Sequence, residues 1–101
     1  MKLKLPEKYI KYFPDDIIYL SRHPNNKLLL MNKDNYKELG ERLENKGINP
    51  KSGVVRFFKA GIVKVDFDKA GGIVDIPEFL EGRLSKKERA YEDYNLGLVV
   101  S

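Results

Sequence analysis

The sequence predicts an α+β domain: a small, mainly antiparallel sheet or barrel with short helices. Three observations predict it. "IVKVDFD" (62–68) alternates apolar and charged residues with a period of two, the pattern of a half-buried strand. "DDIIYLSR", "HPNN" and "KLLLM" (15–31) read as strand, turn and returning strand. Twice, an apolar strand end runs into proline and glutamate, at Leu5-Pro6-Glu7 and Ile76-Pro77-Glu78, where a short helix is predicted to start.

The bulk numbers fit one such domain. The chain has 101 residues, 42% of them apolar and 34% charged, which allows a real core under a well-solvated surface. There is no cysteine, hence no disulfide frame, thiol nucleophile or thiolate metal site. No apolar run approaches the ~18 residues of a membrane span, and the opening "MKLKLPEKY" lacks the apolar stretch of a signal peptide. A cytoplasmic protein is expected. The net charge of +4 and pI of about 9.2 are compatible with a phosphate-backbone partner and equally with solubility alone.

Along the chain, "LPEKYIKYF" (5–13) is predicted as a short helix. Proline suits its first position, Tyr9, Ile10 and Phe13 form its apolar face, and Pro14 ends it. In "HPNN" the proline presets φ and the asparagines tolerate left-handed geometry. "NKDNYKELGERLENKG" (32–47) is the strongest helix. Asn32 caps it, Asp34 lies in its first turn, Tyr36, Leu39 and Leu43 share a face, and Gly47 stops it. A loop (48–53) follows. "VVRFFKAG" (54–61) is either a strand or a buried helical turn. "KAGG" (69–72) supplies a turn or bulge, "IVDI" (73–76) a strand, and "PEFLEGRL" (77–84) a second proline-led helix. "SKKERAYEDYN" (85–95) is helix or loop, and "LGLVV" (96–100) a final strand. Setting Pro6 on Pro77 also aligns Leu5 with Ile76, Glu7 with Glu78, Tyr9 with Leu80 and Phe13 with Leu84. Two copies of a strand–proline–helix–strand unit, about 1–47 and 54–101, imply pseudo-twofold symmetry within one domain.

Chemistry-bearing constellations are sparse. His23 is the sole histidine and sits in a turn, with no serine or carboxylate at motif spacing. Asp66 and Asp68 share a strand face, where solvated carboxylates are the common case. The glycine pairs lack the spacing of a phosphate loop. With no nucleophile–base–orienter set, no enzyme, cofactor or metal is expected. Among the basic residues, Lys2 and Lys4 are two apart on an extended segment and share a face, and Lys64 and Lys69 flank the acidic pair. Tyr36, Phe57 and Phe58 read as core rather than as base-stacking platforms.

The ordered series "YLSR", "HPNN", "LLLM", "NYKEL" resembles the first repeat of the MraZ proteins, the double-repeat branch of the AbrB-like swapped-hairpin superfamily. "VRFFKAGIVKVDFDKAGGIVDIP" is similar to that family's second repeat: Arg-Phe-Phe, a strand, an Asp-x-x-Gly-Arg turn, an apolar strand and Ile-Pro before a helix. "KLKLPEKYIKYF" looks like the end of the corresponding first-repeat signature. The resemblance covers residues 2 to about 84. It implies a barrel-like sheet of two AbrB/MraZ-like units, transcriptional regulation by binding double-stranded DNA, and self-association.

In that family the turn arginine contacts DNA. Here, counting back from Pro6, its place is held by Lys2. In the second repeat it falls on Gly72 counting forward from Asp68, or on Ile73 counting back from Pro77. The expected function is therefore a DNA-binding regulator with Lys2, Lys4, Lys64 and Lys69 on phosphates. Lysine supplies a point charge where arginine supplies a bidentate fork. The alternative is a small protein-binding module or inhibitor, of phage or mobile-element type, that kept the fold and lost the DNA contacts. Its charged segment 83–93 would then meet the partner.

Overall fold

A computed structural model of the chain describes residues 1–45, 61–84 and 87–101. The stop at Gly47, the loop 48–53, nearly all of the 54–61 segment, and Phe57 and Phe58 lie outside the described residues.

Seven strands form one antiparallel sheet, curled into a half-barrel. In chain order the elements are β1 (Lys2–Lys4), α1 (Glu7–Ile10), β2 (Ile17–His23), β3 (Lys27–Met31), α2 (Lys33–Asn45), β4 (Val63–Asp68), β5 (Ile73–Asp75), a 3-10 helix (Glu78–Leu84), β6 (Tyr91–Tyr94) and β7 (Gly97–Val100). Across the sheet the order is β1-β5-β4-β2-β3-β7-β6.

The alternation of β4 does what its sequence dictates: Val65 and Phe67 are buried, while Lys64, Asp66 and Asp68 are exposed. The concave face of the sheet holds the main core, with Leu3, Ile18, Leu20, Leu28, Leu30, Val65, Phe67, Val74, Leu98 and Val100 supplied by the strands. Leu5, Phe13, Ile76, Leu80 and Leu84 complete it from the proline-led segments. "LLLM" and "LVV" do not alternate, because β3 and β7 are buried on both faces. Their outward residues Leu29, Met31 and Val99 form a second cluster with Leu96, against which Leu39 of α2 packs. Each such side chain contributes on the order of 1.5–3 kcal/mol by leaving water.

Three pairings join the halves of the chain, β1–β5, β2–β4 and β3–β7, and the first and last are symmetric. In β1–β5, Leu3 faces Val74, with Lys2 opposite Asp75 and Lys4 opposite Ile73. Just outside that ladder, Leu5 N–H donates to Gly72 O at 2.8 Å and Ile76 N–H donates to Met1 O at 2.8 Å. In β3–β7, Leu29 faces Val99, flanked by Leu28–Val100 and Leu30–Leu98. The turns after the two prolines also match: Tyr9 N–H donates to Pro6 O at 2.9 Å and Leu80 N–H to Pro77 O at 3.0 Å.

Three local expectations are corrected. The first helix is confined to Glu7–Ile10. Leu5 is still extended and bonded to Gly72, and Phe13 leaves the helix axis to enter the core, its N–H bonding Ile10 O at 3.1 Å. Within 85–95, read as helix or loop, Tyr91–Tyr94 is a strand on β7. As an edge strand it keeps Glu92 and Asp93 in water, so its charge pattern hides its type. Tyr36 stacks on Tyr19 outside the barrel, with centroids 4.4 Å apart and planes 5° from parallel, and is not core.

The Asn32 cap agrees with the structure, and the turn read at 23–26 spans 24–26, since His23 ends β2 opposite Lys27. Asn25 and Asn26 have φ of 64° and 59° between β2 and β3. Asn35 N–H donates to Asn32 Oδ1 at 2.8 Å, and Asn32 N–H to Asn35 Oδ1 at 3.3 Å, a reciprocal cap on α2. Gly97 starts β7 at φ 146°, where a Cβ would lie 2.1 Å from Leu30 O.

Gly97→Ala is expected to destabilise the fold by about 2 kcal/mol or more. Gly40→Ala, at an open helical position, is expected to stabilise it by roughly 0.5–1 kcal/mol. Asn32→Ala should cost about 1 kcal/mol through the lost cap. Urea midpoints of the three variants against the parent check all three values.

Candidate nucleic-acid interface

The four lysines singled out in the sequence stand on one part of the fold, the outer face of β1–β5–β4 and the turn beside it. Strand pleating turns Lys2 and Lys4 outward from β1 and Lys64 outward from β4. The pairing that brings them together also brings carboxylates. Lys2 lies opposite Asp75, and its Nζ is 3.4 Å from Asp75 Oδ1. Phe67 faces Val74, so Asp66 follows next to Asp75, and Asp68 faces Ile73. One surface depression is lined by Lys2, Asp66, Asp68, Ile73 and Asp75; its neighbour is lined by Lys64, Val65, Asp66, Asp75 and Pro77.

Lys69 is held away from this face. Its Nζ donates to Pro14 O at 2.9 Å and lies 3.5 Å from Asp16 Oδ1, pinning the β4–β5 turn to the segment before β2. The turn is shaped by Asp68, whose Oδ1 accepts from Ala70 N–H at 3.1 Å and Gly71 N–H at 3.4 Å. Lys64 sits over the Tyr19 ring at 5.8 Å. Among the described residues, Lys4 and Lys64 have no carboxylate partner. The four lysines therefore share their surroundings with four aspartates, Asp16, Asp66, Asp68 and Asp75, and their fields largely cancel. All five ion pairs among the described residues are at least partly exposed, and each is worth ~0–1 kcal/mol.

At the turn position that the resemblance would give to arginine, the backbone disfavours any side chain, and Ile10 would have to shift to admit one. Gly72 is buried at φ 68°, and a Cβ would lie 2.7 Å from Ile10 Cδ1. Ile73, the alternative position, is half-buried and faces Lys4 across the ladder.

Two basic residues of 83–93, Arg83 and Arg89, are occupied in the fold. Arg83 Nη1 donates to the carbonyls of His23 and Lys27, at 2.7 and 3.0 Å, clamping the β2–β3 hairpin to the 3-10 helix. Arg89 donates to Leu84 O. His23 lies edge-on to Tyr94, with centroids 5.2 Å apart, and its Nδ1 has no hydrogen-bond partner. No group of three His, Asp or Glu with metal-holding geometry occurs among the described residues. No described helix is long and apolar enough to cross a membrane.

Sequence reasoning missed two features of this region. Asp75 and Asp16 are its charge-neutralising partners, and the outward position of Asp75 is legible in "IVDI", but its proximity to Lys2 is not. The second feature is a set of tyrosines closing the distance between the sheet's two edges. Tyr12 Oη donates to Asp93 Oδ1 at 2.8 Å, Tyr9 and Tyr91 rings lie 5.2 Å apart, and Tyr91 Oη reaches Lys4 O at 3.4 Å. The hydrogen bond to the Asp93 carboxylate raises the Tyr12 phenol above its ordinary value; burial raises that of Tyr91.

Both phenols are held in the neutral form more firmly in the fold than in the unfolded chain. Their stabilisation is present below the ordinary tyrosine range, about pH 10, and is lost as pH rises through the raised folded values. An ultraviolet titration should show Tyr12→Phe removing a late-ionising component, and Asp93→Ala moving that component to lower pH. No family model matches the chain, and no curated protein matches it.

Proposed function

We propose that this chain is a non-enzymatic, cytoplasmic DNA-binding transcriptional regulator of MraZ-like, AbrB-like build, and that it self-associates. The observation that carries this reading is the order of elements. Strand, proline, short helix and hairpin occur twice, as β1–Pro6–α1–β2–β3 and as β5–Pro77–3-10 helix–β6–β7. The two runs meet in pairings centred on Leu3–Val74 and Leu29–Val99. That is the order the resemblance implies for a duplicated unit.

On this reading, contact with DNA is to phosphates, not to base edges, because lysine stands where a forked guanidinium would read guanine. Lys4 and Lys64 are available as they stand. Lys2 and Lys69 contribute after exchanging Asp75 and Asp16 for phosphate oxygens. Two to four contacts of this kind give an affinity that falls roughly 10- to 150-fold between 50 and 200 mM salt.

A second reading is a protein-binding module or inhibitor that retains the fold. The balance of three aspartates against three lysines on the outer face favours it, since an acidic trio at Asp66, Asp68 and Asp75 repels a phosphate backbone.

Fluorescence anisotropy with a labelled AT-rich duplex separates the two. A DNA regulator should bind at low salt with the stated salt dependence. Lys4→Ala/Lys64→Ala should weaken binding more than Lys2→Ala/Lys69→Ala, because the second pair is already engaged within the protein. A folded protein that leaves the duplex free at low salt overturns the DNA reading and leaves the protein-binding module.

A further inference from the structure

Among the described residues, the sheet has two open edges, β1 and β6. Every pairing in it is antiparallel. With an odd number of strands in alternating directions, β1 and β6 run the same way. They cannot close on each other as another antiparallel pair, but one strand between them, running opposite to both, would complete an eight-stranded antiparallel barrel.

The backbone along both edges is set for that pairing. Met1–Ile76 and Leu5–Gly72 are hydrogen-bonded pairs, so by alternation the N–H and C=O groups of Lys2 and Lys4 point away from β5. Ala90 and Ser101 exchange both bonds at 3.1 and 3.0 Å, so Tyr91 and Asp93 point their backbone groups away from β7. No described residue pairs its backbone with these groups. What crosses the seam is the Tyr91 hydroxyl on Lys4 O, a side chain where a strand would bring its own N–H.

β4 provides the template for the missing strand. It lies between β5 and β2, antiparallel to both, with Val65 and Phe67 turned into the core and Asp66 and Asp68 turned out. The symmetric pairing of β1 with β5 makes the free side of β1 the counterpart of the side of β5 that β4 occupies. The inner wall of the seam carries the half-buried Tyr9, Ile10 and Tyr91. Its outer rim carries Lys2 and Lys4, while Glu92 on the β6 side lies 4.0 Å from Lys27.

We infer that the seam between β1 and β6 is a docking slot for one extended segment of a partner protein, in which apolar residues alternate with acidic ones. The partner's backbone pairs with the free groups of Lys2 and Lys4 on one side and Tyr91 and Asp93 on the other. Its apolar residues cover Tyr9 and Tyr91, and its outward carboxylates meet Lys2 and Lys4. This is strand addition, in which main-chain bonds give affinity and alternate side chains give specificity. It rests on the sheet's pairing and not on any contact with DNA.

The probe is a labelled synthetic peptide of residues 62–68, the template strand itself, titrated into the full chain by fluorescence anisotropy. Saturable binding is expected. Proline in place of Val65 in the peptide should abolish it. In the protein, Lys4→Pro should weaken binding at least tenfold, since it removes a donor that faces the open edge and none that faces β5. Urea midpoints establish that this variant is folded. Should it fail to fold, Tyr91→Phe serves instead: freeing Lys4 O should tighten binding while the ring packing is kept. Absence of binding, or binding indifferent to the peptide proline and to the protein variant, overturns the inference. So does a dimer of the chain that excludes the peptide while the monomer binds it, because a second copy then holds the slot.

Discussion

The antiparallel contact of β1 with β5, centred where Leu3 meets Val74, is the constraint on which the other features depend. It joins the opening of the chain to a strand from its far half. In this register Leu3 and Leu5 point into the core beside Val74 and Ile76, all four nearly inaccessible to water. A slip of one residue would turn both leucines outward and drive Lys2 and Lys4 into an apolar interior. The desolvation penalty of an unpaired buried ammonium exceeds what any one apolar side chain could offset, so the register has no near competitor. The segments after Pro6 and Pro77 then fall on opposite sides of the same ladder. From there Phe13 and Leu84 enter one core.

That single register also decides the electrostatics of the outer face. It sets Asp75 against Lys2 and brings Asp66 and Asp68 into the same surface. It places Gly72 beneath Leu5 and Ile10, in a left-handed conformation where a side chain would press on Ile10. A side chain at Gly72 would have to displace the end of Ile10 and hold a backbone conformation that L residues rarely adopt. The glycine at that turn and the pairing of Lys2 with Asp75 thus belong to one packing arrangement.

The sheet's curvature has a cost at its ends. Seven alternating strands leave two edges of the same direction, which a closed antiparallel barrel cannot have. The molecule partly covers this with aromatic side chains: Tyr9, Tyr12 and Tyr91 from α1, its following turn and β6. Side chains give packing and isolated hydrogen bonds, but no described residue pairs its backbone with the row of main-chain donors and acceptors along these edges.

Much of this was written locally. The period of two in 62–68 set which face of β4 is buried, the paired asparagines set the β2–β3 turn, and Asn32 set the start of α2, because dihedral preference, pleating and capping act within a few residues. "KLLLM" and "LGLVV" announced strands; that both faces of each are buried came from the structure. The edge strand "YEDY" was not legible, since its type comes from β7 and not from its own pattern. Nor was the state of the candidate site. The sequence placed Lys2 and Lys4 on one face and Asp66 and Asp68 on another strand's face; only the tertiary pairing of β1 with β5 and β5 with β4 brought those charges together. The reason is physical: periodicity fixes the side of a strand on which a residue lies, whereas the field it experiences depends on which strand lies beside it.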